Sequence, residues 1–369
     1  MSITEIDFSK KFTDKLLKHF AQNLQQLSRQ IGMKVSSRGW AYLLENHNVI
    51  TKKEFNKVEE IINRCRRRGF LPINFTAEDG ARAFTGVERP DRSDPRLKLK
   101  TWLQICLTAE DYYTPDWWEG EDYYIQMVVE KVDIKTLFEP VCREYHIPIA
   151  NARGWSSMNQ RAEYARRFKE AEEKGLECVL LYYGDYDPDG LRIADTIRAN
   201  IADLKDIEWE DGTEGYDPES LIIERFGITY EDIINNNLTW IDNLETGSGG
   251  EIAREVGGQI VAGKTAGGKP HPNFSLPYAQ EYLKRVGVRK CEANAIIPYP
   301  DIAREICKEA IEKWLGEDAL DRFAEKRQAI VDKVSSFRRD IGLDKVIKDA
   351  LETLDEELGE EDEDEDYEE

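Results

Sequence analysis

The segment Gly184-Asp185-Tyr186-Asp187-Pro188-Asp189-Gly190 sets three carboxylates at alternate positions directly after an apolar run, Cys178 to Tyr183. Such a run, bounded by Gly and Pro, reads as a buried strand, and Leu191, Ala194, Ile197, Ile201 and Leu204 recur at the spacing of a helix packed back onto it. The acids then fall at the carboxyl end of a parallel strand, where open α/β sheets place their chemistry. Asp185 and Asp187 would point the same way in extended backbone, which is costly unless a cation lies between them. Their oxygens suit a hard ion, magnesium, with manganese as a substitute.

The elements that must position these acids extend on both sides. Ile125 to Val129 reads as a strand ending in Glu130-Lys131, Asp133 as the cap of a helix reaching about Tyr145, and Ile147 to Ala150 as a second strand. The loop Asn151-Ala152-Arg153-Gly154-Trp155 follows, then a helix from Ser156 or Ser157 to Gly175. Repeated β-α-β units imply a parallel sheet with helices on its faces. Glu130, Asp185 and Asp187 thus stand on strand ends of one sheet, a set able to hold a catalytic divalent ion. Asp189 reads as the cap of the helix at Leu191, with a third ligand as the other reading.

Upstream, Phe8 to Ile31 has the period of an amphipathic helix, and a short helix spans about Ser36 to Asn46. Thr51 with Glu54 forms a capping box for a third, which ends in Arg64, Arg66, Arg67 and Arg68 before Gly69. Three helices, a basic terminus and an extended Phe70-Leu71-Pro72-Ile73 outline a winged helix-turn-helix that docks on DNA; a helical bundle with a solvated charged face is the plainer reading.

The net charge of −22 is unevenly spread. Residues 355–369 hold 12 acids and no base, whereas residues 1–70 hold 14 Lys and Arg against 7 Asp and Glu. The overall acidity therefore does not exclude a nucleic-acid partner. The six cysteines are scattered without a C-x-x-C pair, as reduced core thiols are. No stretch reaches the roughly 20 apolar residues of a membrane span, and a cytoplasmic, nucleoid-associated protein is expected.

Gly258 to Thr265 satisfies the phosphate-loop pattern G-x-x-x-x-G-K-T, but Glu251 to Val256 before it reads as helical and Ala266-Gly267-Gly268-Lys269-Pro270 cannot open a helix. It is expected to be a flexible loop, able to close over a substrate. The aromatics of Asp111 to Trp118 could stack bases or form a seam between domains. Residues 318–354 read as helical, with Phe323, Ile330, Val334 and Phe337 on one stripe, and residues from Asp355 onward as a disordered acidic tail. The expected division is a helical DNA-binding domain over 1–95, a linker or seam over 96–120, a catalytic domain over 121–316, a helical segment over 317–354 and the tail over 355–369.

These residues resemble the A subunit of topoisomerase VI, the related meiotic break-forming transesterase and their smaller stand-alone homologues. Val128-Val129-Glu130-Lys131 is similar to that family's strand-end glutamate motif, Arg153-Gly154-Trp155-Ser156-Ser157 to its Gly-aromatic-Ser loop, and Gly184 to Gly190 to its D-x-D-P-x-G turn. Lys290-Cys291-Glu292-Ala293-Asn294-Ala295 resembles its last core segment. The resemblance implies an α/β chain with a winged-helix domain followed by a Toprim domain. It also implies a tyrosine nucleophile at Tyr42 in Arg38-Gly39-Trp40-Ala41-Tyr42, where Gly39 and Ala41 depart from the family's acid and aromatic. Tyr42 among Trp40, Leu43 and Leu44 also reads as core packing.

On this resemblance the protein cleaves double-stranded DNA by magnesium-dependent transesterification and leaves a phosphotyrosyl end. Glu130, Asp185 and Asp187 would hold the metal, and Lys131 or Arg153 would offset charge on the phosphate. Arg38, Arg64, Arg66, Arg67 and Arg68 would contact DNA. A homodimer is implied, with the tyrosine of one protomer serving the metal of the other. A separate ATPase subunit would be needed for strand passage. A hydrolytic Toprim nuclease using the same acids, and a non-catalytic DNA-binding scaffold, are the alternatives.

Overall fold

The computed structural model describes residues 6, 8, 11–47, 49–77, 94–152, 158–246 and 250–364. The chain divides into two compact units, residues 1–79 with 120–316, and residues 80–119 with 317–369. The N-terminal helices thus share a unit with the sheet, whereas the segment expected as a linker pairs with the C-terminal helices.

The first unit is built on a four-stranded, wholly parallel sheet of β1 (Tyr123–Val129), β2 (Ile149–Asn151), β3 (Glu177–Tyr183) and β4 (Ile222–Arg225), in the order β2-β1-β3-β4. β1 and β3 are central and buried almost throughout, which is why they read as continuous apolar runs. The chain leaves β1 through α5 (Val132–Glu144) to an edge and returns through α6 (Met158–Glu173) to the other side of β1. Right-handed crossovers put these helices on opposite faces, where α10 (Pro300–Leu315) joins α5 and α7 (Ile193–Ala202) joins α6. Strand ends set the register that matters: Val129 pairs with Tyr183, and Glu130 N–H donates to Tyr183 O at 2.9 Å. The residues following β1 and β3 therefore emerge side by side.

In this unit three α-helices among the described residues precede the sheet: α1 (Asp14–Ile31), α2 (Ser37–Asn46) and α3 (Phe55–Arg67). Thr13 caps α1 and Ser36 caps α2, so the first helix starts later than its apolar period suggests. The Thr51–Glu54 capping box is present and opens a 3-10 turn that leads into α3. No strand follows α3 among the described residues up to 77; Arg66 instead donates to Ile73 O, folding that stretch back on the helix. Asp133 does not cap α5. It is only 3 % exposed and accepts from Ser36 N–H at 2.9 Å and Ser36 Oγ at 3.0 Å, so it joins the start of α5 to the start of α2.

Two further expectations change. Ala253–Val256 and Gln259–Ala262 are antiparallel strands, β5 and β6, and not a helix and a flexible loop. Gly257 and Gly258, both at positive φ, make the two-residue turn that a tight hairpin requires. Gly263 N–H donates to Ile252 O, which holds the phosphate-loop-like segment in the hairpin instead of at a helix start. Before the hairpin lies α8 (Tyr230–Asn235) and after it α9 (Pro277–Val286).

The second unit contains α4 (Pro95–Leu107), α11 (Ala319–Asp340) and α12 (Leu343–Asp364). α12 packs on α4, and Lys100 pairs with Asp355. The acidic segment is therefore helical as far as Asp364: glutamate is a good helix former, and the helix is already anchored before the acids begin. The expected apolar stripe on α11 is not a core stripe, since Phe323 is buried but Phe337 is 64 % exposed. Arg338 is buried instead, donating to Leu107 O and paired with Glu110 and Asp344. Trp117 packs edge-on to Phe323 at 5.6 Å, so it serves as a seam inside this unit. All six cysteines are free thiols, five of them buried. No helix among the described residues is long and apolar enough to cross a membrane.

Candidate active site

Glu130 and Asp185 meet because β1 and β3 are adjacent and in register. Asp185 N–H donates to Glu130 Oε2 at 2.9 Å, and Asp185 Oδ1 accepts from Ala293 N–H at 2.7 Å. The remaining oxygen of each carboxylate faces the same ammonium: Lys131 Nζ pairs with Glu130 Oε1 and lies 3.2 Å from Asp185 Oδ2. Asp187 turns the chain, accepting Gly190 N–H on Oδ1 at 2.6 Å. Asp187 thus does the local work expected of Asp189. Asp189 makes no capping bond and accepts from Asn273 Nδ2 at 3.0 Å and Tyr278 OH at 3.3 Å.

Glu130, Lys131, Asp185, Asp187 and Asp189 line one cavity of about 880 Å³, and Tyr42 and Arg38 line it from α2. Tyr42 is not a core tyrosine. Trp40, Leu43 and Leu44 are fully buried on the other side of α2, while Tyr42 stands half-buried with its ring edge-on to Phe55 at 4.9 Å. Burial and the carboxylate of Glu292 push its phenol up to about 12, against the smaller opposing pull of Lys131 and Arg38. The tyrosine and the acids it faces belong to the same chain, whereas the resemblance implies that they come from different protomers.

Glu292 was given no role by sequence reasoning. The antiparallel bridge between Tyr186 and Cys291 lays residues 290–293 along the acidic turn and brings Glu292 into the cavity wall. It is 5 % exposed; Oε1 pairs with Lys52 and lies 3.7 Å from Lys290 Nζ, and Oε2 is buried without a hydrogen-bond partner. Burial works to raise its pKa, but Lys52, Lys131 and Lys290 outweigh that and hold it below the usual glutamate range. The available signal was the Lys-x-Glu spacing at 290–292, which carries meaning only once that bridge is known. Lys52, placed by the Thr51 capping box, had none.

Burial pushes Asp185 up to about 6, with Lys131 pulling it down and Glu130 and Glu292 pushing it further up. Asp187 is raised by burial and by Asp185. Lys131 is held charged: burial disfavours its ammonium, but Asp185, Glu130 and Glu292 together overcome that.

Of the arginines expected to face DNA, Arg38 pairs with Glu59 at 2.8 Å and stacks over Phe55 at the cavity edge. Arg64 donates to Phe12 O and Arg66 to Ile73 O, so both have structural work. Arg67 and Arg68 are exposed, Arg68 lying 3.9 Å from Asp14. Arg153 and the loop to Ser157 lie outside the described residues.

Does this donor set fit a magnesium ion? Among the described residues no three Asp, Glu, His or Cys side chains converge as a ready-made cage. Magnesium does not require one, since it keeps several waters and takes one or two carboxylates. Hard oxygens, the raised carboxyl pKa values of Asp185 and Asp187 and the unpartnered Glu292 Oε2 all suit a cation. Comparison with protein-family models, with curated proteins and with solved structures gives no match.

Proposed function

We propose that the chain cleaves DNA phosphodiester bonds in a metal-assisted transesterification, with Tyr42 as nucleophile, in the manner of the topoisomerase VI A subunit. The observation that carries this reading is the position of Tyr42 in the same cavity as Glu130, Asp185 and Asp187. The Tyr42 oxygen would bond to phosphorus as the bond from phosphorus to one deoxyribose oxygen breaks, and that oxygen would leave with a proton as a free hydroxyl. A broken strand thus keeps its bond energy in the phosphotyrosyl link and can be resealed without ATP.

This chain's residues divide the work. Tyr42 holds its proton at neutral pH, its phenol pushed up to about 12 by burial and by the carboxylate of Glu292; the lysines that hold Glu292 below the usual glutamate range make it a weak base, so the proton passes in the end to the departing oxygen. Lys131, Lys52 and Lys290 supply positive charge around the phosphate. Glu130, Asp185 and Asp187 are the residues that would hold a magnesium or manganese ion, whose charge would offset that of the phosphate and leaving oxygen. Of the arginines at the end of α3, Arg67 and the following Arg68 are the exposed ones left to meet the DNA backbone. Since Tyr42 faces its own chain's acids, each chain would carry a whole site, and a homodimer would make a double-strand break from two such sites. The three N-terminal helices would then act as the winged-helix module and the sheet as the Toprim module.

One observation favours a second reading. A nucleophilic tyrosine is usually helped by a lowered pKa, and that of Tyr42 is raised, so hydrolysis by an activated water at the same acids is the rival.

Supercoiled plasmid incubated with protein and magnesium or manganese, stopped in detergent and run with and without protease, separates the two. Linear DNA that appears only after protease and is lost in Tyr42→Phe and Glu130→Ala is the expected result. Breaks that need no protease and survive Tyr42→Phe would replace transesterification with hydrolysis. DNA left intact by the wild type under both metals would remove both readings.

A further inference from the structure

Each oxygen of Glu130 and Asp185 has a partner. Glu130 Oε2 accepts Asp185 N–H, and Asp185 Oδ1 accepts Ala293 N–H. These two bonds come from backbone fixed by the register of β1 and β3 and by the bridge at Cys291, so neither oxygen can be released without moving the sheet end. What is left on the two carboxylates is Glu130 Oε1 and Asp185 Oδ2, and both are held by Lys131 Nζ. The two oxygens that carry no backbone hydrogen bond, and so lie most open to a cation, are thus the two that the ammonium occupies.

We propose that Lys131 is a built-in counter-ion for this site, displaced when a divalent cation binds, so that cation loading and release of the lysine toward the cavity are one event. This rests on reading Glu130 and Asp185 as cation ligands.

The physical case has three parts. Two neighbouring carboxylates, one buried and one partly exposed, repel, and a single positive charge between them removes most of that repulsion; Lys131 supplies it in this chain. A lysine can leave where a backbone N–H cannot, because its ammonium sits on a flexible stem with rotatable bonds. Lys131 directly precedes α5, with backbone in the extended region at φ −116° and ψ 147°, so its side chain can swing without disturbing the helix. The released ammonium would remain in the cavity that also holds Tyr42, where an incoming phosphate needs positive charge. A site that exposes its lysine only when loaded would therefore bind DNA phosphate productively only when the cation is present. The lysine also weakens the cation's apparent affinity, since the competent site is only the fraction of molecules in which Lys131 is out. If the lysine is in place about 90 % of the time, binding is weakened about tenfold.

The test needs no cleavage assay. Manganese binding is measured by electron paramagnetic resonance on the full chain, its Lys131→Met variant, and Glu130→Gln and Asp185→Asn. In parallel, the wild type is acetylated briefly with and without manganese, and modification of Lys131 is read by mass spectrometry. The expected results are that Lys131→Met binds manganese about tenfold tighter, that both carboxylate variants bind it more weakly, and that manganese speeds acetylation of Lys131. If the carboxylate variants lose affinity while Lys131→Met gains none and acetylation is indifferent to manganese, the counter-ion role is overturned and the cation site stands. If Glu130→Gln and Asp185→Asn bind manganese as the wild type does, the cation site itself falls, and this inference with it. Should Lys131→Met fail to fold, the acetylation of the wild type decides.

Discussion

Replacing Gly39 by alanine should loosen the junction that carries Tyr42. A Cβ at position 39 would lie 2.5 Å from Val35 Cγ1 and 2.8 Å from Asp133 Cγ, and closer still to Asp133 Oδ2. Carbon atoms in good contact sit about 3.5–4.0 Å apart, so the start of α5 must retreat from α2 by about 1 Å. Overpacking of this kind costs about 1–3 kcal/mol. The retreat also strains the bonds that Asp133 accepts from Ser36 N–H and Oγ, in a pair where Ser36 Oγ in turn accepts Gly39 N–H at 2.9 Å. Hydrogen bonds to a charged group contribute about 1.5–3 kcal/mol each, and alanine returns about 1 kcal/mol of helix propensity. The net destabilisation should be about 3 kcal/mol, a fall in Tm of roughly 6–12 °C. Thermal unfolding followed by circular dichroism reads this directly, with Gly267→Ala as control because its Cβ would meet only Thr265 Oγ1, at 3.9 Å. The double variant Gly39→Ala with Asp133→Ala should lose clearly less than the two single losses added together, because the second change removes the atoms that the first one strikes. DNA cleavage should fall too, as Tyr42 lies on the same helix. A Gly39→Ala protein that melts with the wild type and the control would refute the reasoning.

Tyr42→Phe should keep its stability to within about 1 kcal/mol in urea, since the ring still packs on Phe55 and the half-buried hydroxyl is the only loss; a larger drop would make Tyr42 a structural residue. Asp185, with its folded pKa raised to about 6 from an ordinary value near 4, binds more protons folded than unfolded between those values. Its contribution to stability therefore falls as pH rises through that window and is recovered on acidification. Manganese should then raise Tm more at pH 8 than at pH 5, and a shift that does not depend on pH would count against Asp185 as a ligand. Arg338→Met should strip Glu110 and Asp344 of their common partner and cost about 3–5 kcal/mol in the second unit, seen as faster proteolysis within α4 and α12. Unchanged digestion would show that the pairing contributes nothing net.

Sequence alone determined the pieces with local causes. The central strands were legible because strands buried on both faces are apolar without interruption, and α2 and α3 because Ser36 and the Thr51–Glu54 box cap them. That Glu130, Asp185 and Asp187 come together was legible because they follow two strands that are themselves readable as apolar runs of one parallel sheet. Where a residue's local chemistry pointed one way and a distant partner another, the partner prevailed. Asp133 looked like a cap but serves Ser36, 97 residues away in the chain. The hairpin at 253–262 and the helical acidic segment were misread because turn geometry and anchoring against α4 decide them, and neither is written in hydrophobic period.

The tertiary structure alone decided the membership of the site. Glu292 and Lys52 enter it from chain positions 240 residues apart, through a strand-like bridge and a capped turn that no pattern connects. It also decided that Tyr42 faces the acids of its own chain, because the side of α2 that turns inward is fixed by Trp40, Leu43 and Leu44 and by the close approach that only Gly39 allows. Residue types and their local spacing suffice to name the chemistry a chain could perform. Which groups share one cavity depends on long-range packing, since a backbone's side-chain directions are set by what its other face must bury.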